Sequence, residues 1–151
     1  MSVLRIEGLH SLEGSIKIQG SKNGVLPVMA ASLLHNGTTV LEHIPKIQDV
    51  FCMMGILKSI GCKCSLDGHT LTIDASEISQ ISAATLSSAE IPEALAGQMR
   101  SSVMLLGPLL ARLGRVETSL PGGCRIGKRP VDLHIRGLEA LGVAVRIEEN
   151  R

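Results

Sequence analysis

Apolar and polar positions along the chain change period several times, and each change marks an element. From Val3 to Gln19 the apolar residues Leu4, Ile6, Leu9, Leu12, Ile16 and Ile18 alternate loosely around Gly14, which predicts strand, turn, strand. Gly20-Ser21-Lys22-Asn23-Gly24 then reads as a compact polar turn. Val25 to Leu34 carries almost no charge and predicts a buried helix closed by Asn36-Gly37. Thr38 to Leu41 predicts a strand. After the break at Pro45, Asp49 suits the N-cap of a helix running through Ile60 and stopped by Gly61. Lys63–Leu66 and Thr70–Ile73 predict a hairpin around Asp67-Gly68. Ser76 to Ser88 reads as a connector with a short strand. Pro92 opens a helical pattern through Ala111, which Gly107-Pro108 should kink or restart. A strand from Arg115 to Leu120, a helix from Pro130 to about Leu141 stopped by Gly142, and a terminal strand from Val143 to Ile147 complete the chain.

This order repeats. Leu33-Leu34 and Pro45 recur 76 positions later as Leu109-Leu110 and Pro121. Val50, Leu57 and Gly61 recur 81 positions later as Val131, Leu138 and Gly142. The difference places an insertion between Pro121 and Val131. Insertions in one copy of a repeat tend to mark the functional face. Two α/β units of similar length with chance Leu and Gly matches would look the same.

Composition narrows the picture. At 151 residues the chain can bury one sizeable core, and 44% of it is hydrophobic. Phe51 is its one aromatic, so Leu, Ile, Val, Ala and Met must build that core and Phe51 is read as packing. The net charge of +1 gives no global attraction to nucleic acid or anionic membrane. The first residues lack a secretory signal pattern, and no apolar run approaches the roughly 18–20 residues that span a bilayer. The reading is a soluble, cytoplasmic protein. Cys52, Cys62 and Cys64 are expected as small buried hydrophobes with free thiols. Cys62-Lys63-Cys64 has no second pair and no nearby His, so no metal site is expected, nor any cofactor.

Candidate chemistry gathers in Leu120-Pro-Gly-Gly-Cys124-Arg125-Ile-Gly-Lys128-Arg129-Pro130-Val131-Asp132-Leu133. Pro121 and Gly122-Gly123 put Cys124 on a loop, and Arg125, Lys128 and Arg129 favour its thiolate. The following helix start suits a phosphate or carboxylate. Taken alone, the stretch reads equally as a surface turn with solvated charges, with Asp132 an acid at a helix N-terminus and His134 structural.

That stretch, continued to His134, closely resembles the cysteine loop of the UDP-N-acetylglucosamine enolpyruvyl transferase family. Gly20-Ser21-Lys22-Asn23 resembles its Lys-Asn substrate turn, with Gly24 where alanine is common. Met99-Arg100-Ser101-Ser102 with Leu106-Gly107-Pro108-Leu109-Leu110-Ala111-Arg112 is similar to its arginine-bearing helix. The resemblance covers nearly the whole chain. It implies an α/β (α+β) fold of repeated βαβαββ units, about two of three repeats being present. Residues 1–20 would belong to a second, incomplete domain and 21–151 to the first two repeats of the cysteine-loop domain.

The activity implied is transfer of the enolpyruvyl group of phosphoenolpyruvate to the 3-hydroxyl of UDP-N-acetylglucosamine, with release of phosphate, the first committed step of peptidoglycan synthesis. Cys124 then matches the loop cysteine tied to protonation of the methylene carbon or to product release, and alkylated by fosfomycin. Arg129 matches the arginine on the phosphate of phosphoenolpyruvate. Lys22 and Asn23 match the pair contacting phosphoenolpyruvate and sugar, and Arg100 matches a UDP-sugar contact. Arg129, Pro130, Val131, Asp132 and Leu133 match a segment lining the UDP-sugar site. Because family members are longer, the chain reads as an N-terminal fragment, inactive alone and prone to self-association through uncovered strand edges. The alternatives are a non-catalytic UDP-sugar-binding or self-associating fragment, and an enzyme acting on shikimate 3-phosphate, whose relatives lack the Pro-Gly-Gly-Cys loop.

Overall fold

The computed structural model describes residues 3–8, 11–78, 89–119 and 130–147. In its first unit, helix α1 (Lys22–Ala31) runs into a 3-10 turn at Ser32–Leu34, and strand β1 (Thr38–Leu41), helix α2 (Gln48–Ser59), strand β2 (Lys63–Asp67) and strand β3 (Thr70–Asp74) follow. The three strands form an antiparallel sheet in the order β1-β3-β2, with Thr39 opposite Ile73 and Leu66 opposite Leu71. Alternation along β3 sends Leu71 and Ile73 to one face, where both are fully buried, as period-2 geometry requires. Helices α1 and α2 pack on each other, and Leu26, Met29, Leu33, Met53, Ile56 and Leu57 join those strand residues in one core. Burial of each such side chain contributes about 1.5–3 kcal/mol.

The second unit holds strand β4 (Ala89–Ile91), a short helix α3 (Glu93–Ala96), a 3-10 helix at Arg100–Leu105, helix α4 (Leu106–Leu113), strand β5 (Val116–Thr118) and helix α5 (Asp132–Ala140). Strands β4 and β5 are parallel. Helix, strand, helix thus recurs in the order of the first unit.

Several expectations need correction. Residues 3–8 and 11–20 form no strand, and Val3, Leu4, Ile6, Leu12, Ile16 and Ile18 are 80–95% exposed. An alternating segment becomes a strand only with a ladder partner, and no described strand pairs with these residues. Val143–Ile147 forms no strand for the same reason. The hairpin turn is Gly68-His69, since Asp67 already pairs with Thr70. The helical pattern from Pro92 breaks at Gly97–Met99 as well, and the restart expected at Gly107-Pro108 comes at Leu106, where the 3-10 helix gives way to α4. Pro108 sits in the first turn of α4, where its missing N–H costs nothing. Helix α5 begins at Asp132, so Pro130 precedes it. Phe51 is 45% exposed, because α2 turns its buried side to Val50, Met53 and Leu57 instead. The insertion between Pro121 and Val131, like most of the Ser76–Ser88 connector, lies outside the described residues.

The three cysteines in the described residues are free; Cys52 and Cys62 are buried and Cys64 half-buried. Burial pushes the Cys62 thiol up to about 12 and Cys64 to about 11, and it also raises Cys52, with the Asp49 charge adding to it. Cys52 Sγ donates weakly to Leu95 O at 3.6 Å. These thiols therefore behave as small hydrophobes.

One polar side chain fastens the units together. Arg112, in the last turn of α4, donates to Leu33 O at 2.9 Å, His35 O at 3.1 Å, Asn36 Oδ1 at 2.9 Å and Ala75 O at 2.6 Å. Its guanidinium lies against carbonyls at the C-terminal end of the first helix and just past β3, where helix-dipole charge is negative.

Two outcomes follow. Arg112→Met should lower urea stability by about 2–4 kcal/mol, since a half-buried cation with charge-assisted bonds is lost, and Arg112→Lys should restore only part of it. A change too small to measure would show that the clamp contributes nothing. The raised thiol values mean that the folded state favours neutral Cys62 and Cys64, whereas unfolded thiols ionise near 9. Their contribution is whole below about pH 9 and is lost as pH rises through the folded values. The urea midpoint should therefore fall between about pH 9 and 12, and less steeply in Cys62→Ala.

Candidate functional site

The start of α1 is fixed by contacts that begin at the hairpin. Ile44 N donates to His69 O at 2.9 Å, and His69 Nδ1 donates to Ile44 O at 2.8 Å, so the turn holds the 43–45 segment. Gly20 approaches that segment so closely that a Cβ there would lie 2.1 Å from His43 O. Only glycine fits this crossing. Ser21 is the N-cap, with extended backbone and its Oγ accepting from Gly24 N at 3.2 Å.

Lys22 and Asn23 are accordingly the first two residues of a helix and not part of a turn. The signal was present as a serine three residues before Gly24, and two flanking glycines masked it. Gly24 does not loosen a turn either: it is helical, and a Cβ there would make ordinary contact with Ser21 Cβ at 3.5 Å.

The backbone N–H groups of Lys22 and Asn23 have no partner among the described residues, and no acidic side chain stands in this first turn. The N-terminus of a ten-residue helix therefore faces outward with its partial positive charge beside a lysine. Lys22 Nζ lies 2.8 Å from Asp49 Oδ1, the two side chains being 52% and 28% exposed. Asp49 is not the N-cap of α2: Ile47 holds that place without a side-chain bond, and Asp49 occupies the first turn. Its role as partner of Lys22 was not visible in the pattern, because it depends on how α1 and α2 pack. An exposed pair of this kind contributes about 0.2–1 kcal/mol, so an incoming anion can replace Asp49 at little cost.

Arg100 opens the 3-10 helix that packs against α1, and it is exposed with no hydrogen-bond or ion-pair partner among the described residues. Ser102 Oγ, buried, donates to Met99 O at 3.0 Å and holds the start of that helix. The structure thus joins the elements carrying Lys22, Asn23 and Arg100. Pro130, Val131, Asp132 and Leu133 lie at the start of α5, where Val131 is half-buried and the other three are exposed. Cys124 and Arg129 lie outside the described residues. His134, read as structural, is exposed on α5. Among the described residues no three His, Cys, Asp or Glu side chains come together as a metal ion needs, and no helix is long and apolar enough to cross a membrane. What the site offers chemically is the Lys22 ammonium and free N–H groups at one helix start, with the element that carries Arg100 packed on the same helix, a place for a phosphate or carboxylate.

The chain is 47% identical over 150 residues to the UDP-N-acetylglucosamine 1-carboxyvinyltransferase of Rhodospirillum centenum, which covers 98% of this chain and 35% of that protein. It is 45% identical over 150 residues to the protein of that name from Dichelobacter nodosus (99% and 34%), and 42% identical over 149 residues to that of Thermotoga petrophila (98% and 33%). The chain spans about a third of the length of the curated relatives it matches. The crystal structure of the enolpyruvyl transferase NikO from Streptomyces tendae shares its fold, with a TM-score of 0.73 at 24% identity over 92% of this chain and 28% of that one. Residues 6–151 match the family model described as EPSP synthase (3-phosphoshikimate 1-carboxyvinyltransferase). With that match over nearly its whole length, and with the fold of an enolpyruvyl transferase, the chain belongs to the EPSP synthase family.

Proposed function

We propose that this chain supplies part of the site in which the enolpyruvyl group of phosphoenolpyruvate moves to the 3-hydroxyl of UDP-N-acetylglucosamine, in the cytoplasm and toward peptidoglycan, and so toward cell shape and division. The observation that carries the reading is identity of 40–47% across nearly the whole chain to relatives named for that activity. Both substrates are polyanions, and the start of α1 with Lys22 and the neighbouring Arg100 helix offers positive charge and free donors. Residues 21–151 form two repeats of the cysteine-loop domain in this reading, and 1–20 belong to a second domain.

The chemistry assigns a part to each group. A proton adds to the methylene carbon of phosphoenolpyruvate while the sugar hydroxyl oxygen bonds to its C2 and loses its own proton. The adduct then expels phosphate and gives back a methyl proton. Lys22 and Arg129 stabilise the phosphate charge through both steps. Cys124 serves the proton transfer or product release. Asn23, Arg100 and Pro130–Leu133 hold the sugar nucleotide.

A second reading, action on shikimate 3-phosphate, has the name of the matched family model in its favour. Titration calorimetry separates the two. The chain should bind UDP-N-acetylglucosamine and give no heat with shikimate 3-phosphate. Lys22→Met should weaken the sugar-nucleotide affinity about tenfold, roughly 1.4 kcal/mol. The chain alone should release no phosphate from the paired substrates; binding without release also fits a non-catalytic UDP-sugar module, and release at the rate of a full-length relative would contradict the inactive-fragment reading. Binding of shikimate 3-phosphate in preference would overturn the assignment.

A further inference from the structure

One short segment, 43–47, touches the start of both helices that carry the Lys22–Asp49 pair. On one side Gly20 crosses it so tightly that an added Cβ would meet His43 O and Pro45 Cδ, and the next residue, Ser21, caps α1. On the other side Ile47 N donates to Pro45 O at 2.9 Å, and Ile47 is the N-cap of α2, its carbonyl accepting from Val50 N at 3.0 Å. The segment is therefore a strap that sets where both first turns begin, and with them the meeting of Lys22 and Asp49.

The strap does not hold its own shape. His43 has a φ of 59°, a left-handed backbone that a residue with a Cβ keeps only where its surroundings impose it. At the other end, Ile47 caps α2 without a side-chain bond. What imposes the shape comes from His69, 25 residues away in the turn between β2 and β3. His69 O accepts from Ile44 N at 2.9 Å, and His69 Nδ1 donates to Ile44 O at 2.8 Å. Both polar backbone groups of Ile44 are thus taken by one residue, directly beside the left-handed His43, while the Ile44 side chain is buried in the core. The first of these bonds is made by backbone alone. The second depends on which side chain stands at position 69.

We propose that His69 is a positioning residue for the anion site: its Nδ1–H on Ile44 O pins the 43–47 strap, and the strap fixes the first turns of α1 and α2 and so the place of Lys22. His69 acts through the strap and not by contact with a ligand. Its consequence for ligand binding rests on the proposed function, which puts the phosphates of a sugar nucleotide at the start of α1; the pinning of the two first turns does not.

Hydrogen exchange and calorimetry on the chain carrying His69→Leu or His69→Asn test this. Leucine fills similar space without a donor, whereas asparagine carries an N–H donor at the same distance along the side chain as Nδ1. Because His69 is exposed and its backbone bond to Ile44 N remains, both variants keep the fold. Without ligand, exchange at the amides of Gly24, Val25 and Val50, which close the two first turns, should quicken about fivefold in His69→Leu, in keeping with the loss of one hydrogen bond. His69→Asn should match the original chain, and Met53–Leu57 inside α2 should not change in either variant. Affinity for UDP-N-acetylglucosamine should fall about fivefold in His69→Leu and recover in His69→Asn. Unchanged exchange at the three amides in His69→Leu would overturn the proposal. An equal quickening at Met53–Leu57 would overturn it too, since His69 would then serve stability alone. So would an undiminished affinity in His69→Leu, or failure of asparagine to restore exchange and affinity. A chain that binds no UDP-N-acetylglucosamine would overturn the proposed function instead, and the ligand-free exchange would still decide whether His69 pins the strap.

Discussion

Arg112 is the constraint on which the arrangement depends. Its four acceptors belong to the end of the first helix, the loop after it and the residue following β3, while its own backbone belongs to the second unit. Apolar packing between units is non-directional and would tolerate sliding. A planar guanidinium with fixed donor directions does not. Leu33 O is a carbonyl that the helix end leaves open, and His35 O and Ala75 O lie just past a helix and a strand, so one side chain satisfies three element-end carbonyls and sets where the second unit docks.

That docking matters at the opposite end of α1. The helix is held at its C-terminal end by Arg112 and at its N-terminal end by the Ser21 cap and the close crossing of Gly20 over His43. Between these anchors Leu26 and Met29 are locked in the core. Lys22 is thus delivered to a fixed place by buried contacts, while the ion pair it makes with Asp49 is exposed and weak. Rigid placement with an exchangeable partner is the combination an anion site requires. The 3-10 helix that carries Arg100 packs on α1 and depends on the same interface.

What the sequence made legible was whatever its local chemistry decides. The hairpin followed from alternation around Asp67-Gly68, and α1 and α2 from uncharged or periodic apolar runs ended by Asn36-Gly37 and Gly61. The three buried or half-buried thiols were readable because Cys is a small apolar side chain and none of the three stands among metal-ligand spacings. Readings failed where the deciding partner is remote. Val3–Ile18 and Val143–Ile147 alternate like strands, yet no described strand lies beside them. Gly107-Pro108 marked the restart of the helix to within two residues, whereas the break at Gly97–Met99 was not read. Asp49 was read as a cap, although packing of two helices made it an ion-pair partner. Arg112 stood inside a recognised motif without a role, since its acceptors are 37–79 residues away. The resemblance named Lys22, Asn23 and Arg100, which the structure carries on two elements that pack on each other, and Cys124 and Arg129 fall outside the described residues.

The proposed function places the phosphates of a sugar nucleotide at the first turn of α1. Backbone chemical-shift mapping of the chain titrated with UDP-N-acetylglucosamine tests it most directly. The largest saturable shifts should fall on the amides of Lys22, Asn23 and Gly24, with smaller ones at Arg100. Saturable shifts elsewhere with these amides unmoved would contradict it.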